Sequence, residues 1–157
     1  MRVYNDGSGQ WGYRWSNASG ESTFYLIEGN YEFLVEKNGA RSQKYDFTVD
    51  PPSGDPSGSA DDTNLTYLLA KVTIHVQDSG GNPLQSYLVR IYNYPAGSQW
   101  GYQWTNSSGD AVFYLIEGSY QYQVEKNSYN SGKQPAGGFT VAAPPPGNDQ
   151  THTHTVP

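Results

Sequence analysis

Apolar and polar residues alternate along several short stretches of the chain, as they do in half-buried β-strands. Residues 71–77 place Val72, Ile74 and Val76 on one face. The same reasoning predicts strands over residues 88–93, 99–105, 110–115, 120–126 and 137–141. Polar and glycine-containing turns separate them, a spacing typical of an antiparallel β-sandwich. No stretch keeps the 3.6-residue period of a helix, so no helix is predicted.

The chain contains one sequence pattern twice. Residues 10–38 match residues 99–127 without a gap, with 19 identities in 29 positions. A period of about 90 residues is that of a domain rather than of a solenoid repeat. We therefore predict two tandem domains, copy 1 at residues 1–49 and copy 2 at residues 71–141. An acidic linker rich in proline, glycine and serine, residues 50–70, joins them.

Copy 2 carries motifs that resemble a known family. Residues 72–84 read as a strand, an Asp-Ser-Gly-Gly turn and Pro-Leu, and TNSSG, FYL and GSY follow at residues 105–109, 113–115 and 118–120. This order resembles the Cna B-type and carboxypeptidase-regulatory-like domains of microbial surface and fibre proteins. The resemblance implies an all-β fold of two tandem Ig-like, prealbumin-like antiparallel β-sandwiches. It also implies a non-enzymatic stalk, spacer or fibre module at the cell surface or outside the cell.

Some Cna B-type domains contain an internal isopeptide bond between a lysine and an asparagine or aspartate, promoted by a glutamate. The family's lysine position falls at or beside Val76, whereas Glu125 matches the glutamate. Without the lysine, no such bond is expected here.

Copy 1 is predicted to lack its first strand. Copy 2 has residues 71–88 ahead of its Arg-Ile-Tyr-Asn at residues 90–93, whereas copy 1 begins at once with the equivalent residues 2–5. A sandwich without this strand has an open edge, which is an aggregation hazard unless something fills it.

The chain also has a surplus segment at its other end. Residues 142–157 contain a Pro/Gly-rich linker and then an alternating, β-branched stretch that is predicted to be a strand with no partner in its own copy. This candidate assembly strand consists of Thr151, His152, Thr153, His154, Thr155 and Val156.

Three hypotheses account for the surplus strand and the missing one. In the first, each chain donates its tail to copy 1 of the next, so that a homopolymer grows head to tail as a filament. In the second, the chain is an excerpt of a longer tandem array with the missing strand upstream. In the third, the tail folds back on its own molecule.

Two rows of alternating aromatic residues suggest a second function. The rows are Trp11, Tyr13 and Trp15, and Trp100, Tyr102 and Trp104. Such rings fill the core of a small domain or pack at an interface, but they also stack on sugars. A carbohydrate-binding or adhesion module is therefore the alternative function.

Three N-x-Ser/Thr sequons are candidate glycosylation sites: Asn17, Asn64 and Asn106. Asn17 and Asn106 occupy the same position of the repeat, at a predicted hairpin tip. The competing interpretation for both is ordinary turn chemistry.

Composition excludes several classes of protein. The chain has no cysteine, hence no disulfide and no thiolate zinc site. Its net charge of −6, of which −4 lies in residues 50–62, argues against a nucleic-acid partner. No apolar run approaches the ~20 residues that span a bilayer, so no membrane insertion is expected. No catalytic constellation, cofactor motif or complete metal-ligand set is present, and the protein is predicted not to be an enzyme.

Overall fold

The computed structural model describes residues 1–7, 9–38, 40–50, 64–142 and 149–157. All regular secondary structure in these ranges is β, and the predicted all-β fold is confirmed. The chain divides into two compact units, the first formed by Met1–Glu36 and Ser42–Tyr67, the second by Lys37–Arg41 and Leu68–Pro157.

The first six strands belong to the sequence of copy 1. They are β1 (Arg2–Asn5), β2 (Gln10–Tyr13), β3 (Gly29–Leu34), β4 (Glu36–Lys37), β5 (Ala40–Arg41) and β6 (Tyr45–Val49). The other eight are β7 (Ala70–Asp78), β8 (Leu88–Asn93), β9 (Gln99–Trp104), β10 (Asp110–Leu115), β11 (Gly118–Lys126), β12 (Tyr129–Asn130), β13 (Gln134–Val141) and β14 (Gln150–Val156).

Copy 2 is a complete β-sandwich. One sheet has the order β9-β8-β11, with β12 and β13 both paired to the far edge of β11. The other sheet places β7 in the centre, antiparallel to β10 and parallel to β14. Val72, Ile74 and Val76 on β7 are fully buried, in one core cluster with residues of the facing sheet such as Val89 and Ile91. Branched apolar side chains at alternate positions thus make β7 a central strand.

Residues 150–156 of the tail pair with β7 as strand β14. Its register on β7 runs from Gln150 opposite Val72 to Val156 opposite Asp78. The expectation that the tail has no partner in its own copy is therefore wrong, and the tail folds back on its own molecule as in the third hypothesis. The physical reason is that the second edge of β7 would otherwise present a row of unpaired backbone groups.

The two histidines of β14 act as packing residues. The ring of His152 lies 4.4 Å from that of Phe139, and His154 Nε2 lies 2.8 Å from the Tyr129 hydroxyl. Burial lowers the pKa of both histidines below the ordinary value, because their neutral forms are favoured away from water.

Copy 1 has one of the two sheets of copy 2. Its order β2-β1-β3-β6 corresponds to β9-β8-β11-β13, and β4 pairs with β5. Residues 21–28, which correspond to β10 and the turn after it, form no strand. Among the described residues, the core cluster of copy 1 has three buried members, Val3, Tyr31 and Phe33. Among the described residues of copy 1, no strand occupies the place that β7 has in copy 2, and no counterpart of the second sheet forms.

Substitutions at two equivalent glycines, Gly20 of copy 1 and Gly109 of copy 2, should show whether a strand lies beside each of them. A methyl group on Gly109 would lie 2.5 Å from the Val76 carbonyl oxygen, whereas one on Gly20 meets nothing within 4 Å. Both glycines have positive φ, so alanine costs about 1–2 kcal/mol at either position. Gly109→Ala should lower the free energy of unfolding well beyond this amount and Gly20→Ala should not, as measured by denaturant titration. Equal losses of unfolding free energy in the two variants would mean that a strand lies beside Gly20 as β7 lies beside Gly109.

The attachment of β14 should weaken in acid. His152 and His154 have lowered pKa values in the folded protein, so the unfolded chain binds more protons as the pH falls through the ordinary histidine range. Stability is complete above about pH 6.5 and declines below it, so the melting temperature should drop between about pH 7.5 and about pH 5.5. The double variant His152→Gln and His154→Gln is the control and should lose less over the same interval. An identical drop in both proteins would disprove the role of the histidines.

Candidate functional site

The candidate site is the uncovered side of copy 1, which we call the open face. It consists of residues 21–27, which correspond to β10 of copy 2, and residues 64–67, of which Tyr67 packs against the core of copy 1. Phe24, Leu26 and Tyr67 pack their side chains against the small core of copy 1 but stay partly exposed.

Identical sequences have different environments in the two copies. Phe-Tyr-Leu-Ile occurs at residues 24–27 and again at residues 113–116. Ile27 is 78% exposed and Ile116 is 0% exposed. In copy 2 the stretch belongs largely to β10, which pairs with β7 from Asp110 to Leu115. In copy 1 the same sequence forms no such ladder, and Phe24 and Leu26 are only partly buried whereas Phe113 and Leu115 are buried.

The first segment of the open face is held at both ends. At its start, the Asn17 amide donates to the Glu21 carbonyl over 2.9 Å, as Asn106 does to Asp110 over 3.0 Å. At its end, the Tyr31 hydroxyl donates to the Ile27 carbonyl over 3.0 Å, and Tyr120 repeats this bond to Ile116 at 2.8 Å. The segment is thus anchored at the same two points as its counterpart in copy 2.

From the sequence, all of residues 50–70 are predicted to be linker, so residues 64–67, the second segment of the open face, are not expected to contact the core of copy 1. Tyr67 contacts the core of copy 1, with its ring 5.7 Å from that of Tyr45 in an edge-on arrangement. Residues 64–67 form no strand. They follow β6 and a linker in the sequence, as β14 follows β13 and a linker, and this order is the one signal in the sequence that relates them to β14.

Two of the sequon asparagines use their side chains to form turns. Asn17 Oδ1 accepts from the backbone N–H groups of Ser19 and Glu21, at 3.0 and 2.9 Å. Asn106 Oδ1 accepts in the same way from Ser108 and Asp110. These hydrogen bonds support the interpretation of Asn17 and Asn106 as turn residues. Glycosylation of Asn17, Asn64 and Asn106 stays a prediction.

Most of the predicted aromatic rows lie at the surface. Trp11, Tyr13, Trp15, Tyr102 and Trp104 are exposed, whereas Trp100 belongs to the core of copy 2. Core packing therefore explains Trp100 alone among the six rings.

The exposed rings have polar neighbours that recur in both copies. Arg90 lies 6.0 Å from the Tyr102 ring centre, pairs with Glu125 at 3.3 Å and donates to Gln99 at 3.0 Å. In copy 1, Arg2 pairs with the equivalent residue Glu36 and donates to Gln10. Glu125 is thus engaged with an arginine.

Neither metal binding nor membrane spanning finds support in the ranges that the structure describes. They contain no group of three histidine, cysteine, aspartate or glutamate side chains placed to hold a metal ion. They also contain no helix long and apolar enough to cross a membrane.

Comparison with known proteins gives structural likeness only. No protein-family model and no curated protein matches the chain. The Bacillus anthracis TIE protein matches 99% of this chain at 19% identity and a TM-score of 0.44, and this chain spans 29% of that structure. A 5-hydroxyisourate hydrolase from Klebsiella pneumoniae matches 60% of this chain at 18% identity and a TM-score of 0.41, over 90% of its own length. The class that the fold defines is a tandem β-sandwich protein, and membership in the Cna B-type family stays a prediction.

A matched pair of isoleucines should measure how differently the two copies are covered. Replacing the buried Ile116 by alanine is expected to cost about 2–5 kcal/mol of unfolding free energy, as for other large core residues. The same change at the exposed Ile27 should stay within about 0.5 kcal/mol. Denaturant titration with amide hydrogen exchange assigns each loss to its copy. Comparable losses at the two sites would mean that Ile27 is covered in solution.

Proposed function

We propose that this chain is a structural, non-enzymatic module of a microbial extracellular filament or surface stalk, in which a β-strand added to copy 1 joins neighbouring modules. The observation that supports it is the open face, where a sequence that is covered in copy 2 stands exposed in copy 1. The microbial and extracellular setting and the absence of enzymatic activity are proposed from the resemblance to Cna B-type domains.

Strand addition suits the open face for two physical reasons. It would pair the backbone groups of residues 21–27, which form no ladder in copy 1. It would also complete the burial of Phe24 and Leu26, whose counterparts Phe113 and Leu115 are buried beside β7. A contact between a strand of one molecule and the open face of another is heterologous, so it can repeat without closing and build a filament.

The sequence predicts that the donor is the tail of the next molecule. In the structure this tail is β14, so donation requires the strand to leave β7 and pair with another chain. β14 is an edge strand and would break one ladder on leaving. The geometry of copy 1 thus supports the open face as the acceptor of a strand. The tail is proposed as the donor from the sequence alone.

Assembly tests the proposal directly. We expect the unmodified chain at high concentration to form open-ended oligomers or filaments, seen by negative-stain microscopy and light scattering. A variant with an extra copy of residues 70–88 placed ahead of Met1 should fill the open face in cis. This variant should stay monomeric, and the amides of residues 21–27 should become protected from hydrogen exchange.

Deletion of residues 150–157 identifies the donor. Loss of assembly points to β14, provided that copy 2 keeps its hydrogen-exchange protection in β11. Assembly that survives the deletion points to another strand. Monodisperse short particles from the unmodified chain would contradict self-assembly.

A second candidate function, glycan binding, is favoured by the exposure of five aromatic rings, of which Tyr102 lies beside the Arg90, Gln99 and Glu125 side chains. Sugar rings stack on exposed aromatic faces while arginine and amide groups bind their hydroxyls. If this function holds, Tyr102→Ala should weaken binding on a glycan array at least about tenfold, the loss of one stacking contact. Tyr114→Ala, which removes an exposed tyrosine of the other sheet, is the control. An unmodified chain that binds no glycan would exclude this function.

A further inference from the structure

We propose that the open face of copy 1 is a binding site for a strand with the side-chain chemistry of β7. Such a strand is extended, carries valine or isoleucine at three alternate positions, and lies antiparallel to residues 21–27. The proposal deepens the proposed function and rests on it for its role in assembly. It names the occupant that the site accepts.

The register of the occupant follows from copy 2. There, Phe113 lies opposite Val72 and Ala111 opposite Ile74. The repeat offset of 89 residues transfers these positions to Phe24 and Ser22 of copy 1. On the outer side of the sheet, Thr23 takes the place of Val112 and Tyr25 that of Tyr114. The occupant therefore has its equivalent of Thr73 opposite Thr23 and its equivalent of Lys71 opposite Tyr25.

The central position of this sheet demands apolar side chains. Val72, Ile74 and Val76 are all 0% exposed, since the facing sheet covers them and strands flank them on both sides. The inward residues of β14 are His152, His154 and Val156, and the histidines stay partly exposed at the edge. A tail-like strand moved to the centre would have to desolvate two imidazoles, so it fits the position less well than a β7-like strand.

Space for the occupant is already present at Gly20. In copy 2, the Gly109 carbonyl accepts from the Val76 amide at 2.8 Å, and the Val76 carbonyl lies so close to Gly109 that no side chain fits between them. In copy 1, nothing approaches the Cβ position of Gly20 within 4 Å. An occupant in the β7 position would bring its carbonyl into this space, where only glycine is tolerated.

The residue of the occupant that corresponds to His75 would also face a carboxylate, as His75 does in copy 2. His75 on β7 lies opposite Asp110, with Nδ1 2.8 Å from a carboxylate oxygen. Copy 1 has Glu21 at the equivalent position, so a carboxylate faces the same point of the occupant. Glu21 now accepts from Asn17 Nδ2 at 3.0 Å.

Disulfide trapping tests the occupant and its register, because the chain contains no cysteine of its own. Thr23→Cys and Tyr25→Cys variants of the full chain are mixed with synthetic peptides of residues 70–82 that carry Thr73→Cys or Lys71→Cys, in a glutathione redox buffer. The four combinations include two matched and two mismatched registers. A peptide of residues 150–156 with Thr153→Cys represents the tail.

We expect the two matched combinations to cross-link at least about tenfold faster than the mismatched ones, since a register shift separates the thiols beyond disulfide reach. The tail peptide should cross-link at least about tenfold more slowly than the matched peptides. Gly20→Ala should reduce matched cross-linking, whereas the control Gly12→Ala, where a methyl group also meets nothing within 4 Å, should leave it unchanged. Equal rates in all registers, no cross-linking at all, or equal capture of the tail peptide would overturn the proposal.

The identity of the occupant and the filament function can be disproved independently of each other. If the matched peptides are captured but the unmodified chain stays monomeric, the occupant is identified and self-assembly is wrong. If filaments form without register-specific capture, strand addition at the open face by a β7-like strand is wrong while the filament function stands.

Discussion

Backbone hydrogen bonding on both edges of β7 is the constraint on which the second sheet of the sandwich depends. β10 and β14 pair with β7 and not with each other. Adjacent strands lie about 4.8 Å apart, so two segments that flank an empty position are about 9.6 Å apart and cannot bond directly. Removal of the central strand therefore does not shorten the sheet but abolishes it. In copy 1, residues 21–27, the counterpart of β10, form no strand, as this constraint requires.

The same constraint explains how the cores differ. Among the described residues, fifteen buried side chains form the core cluster of copy 2 and three form that of copy 1, although the sheets that correspond in the two copies have closely related sequences. Phe47 and Val49 of copy 1 are only partly buried, whereas their counterparts Phe139 and Val141 are buried. Side chains on the sheet that does form lose their burial because the facing layer is missing. Burial in a sandwich is thus a property of the pair of sheets.

Local patterns in the sequence were sufficient for one part of the structure. Alternation predicted the strands of copy 2, because their inward residues are apolar, and comparison of the repeats predicted the missing first strand of copy 1. Both inferences used information that lies within a few residues of each strand.

Pairing over long distances was harder to infer. β14 carries histidines on its inward side, so its pattern of polar residues gave no sign that it packs against Phe139 and Tyr129. Residues 64–67 have no ladder to mark them, and only their place after β6 relates them to β14. The aromatic rows alternate like core strands, yet Arg90 on the neighbouring strand shows that Tyr102 lies on the outer face of the sheet.

The two copies also show how one sequence family handles a strand edge in opposite ways. In copy 2, β14 covers the second edge of β7 with a strand whose outward residues are threonines, which leaves a polar border. In copy 1, Tyr25, Ile27 and Leu65 are exposed around an unfilled position. Anchors at Glu21 and Ile27 hold the first segment there in place, so little backbone ordering remains to be done when a strand arrives. An apolar, anchored segment without a ladder has the physical features of the proposed acceptor, and the open space over Gly20 leaves room for the backbone of an added strand.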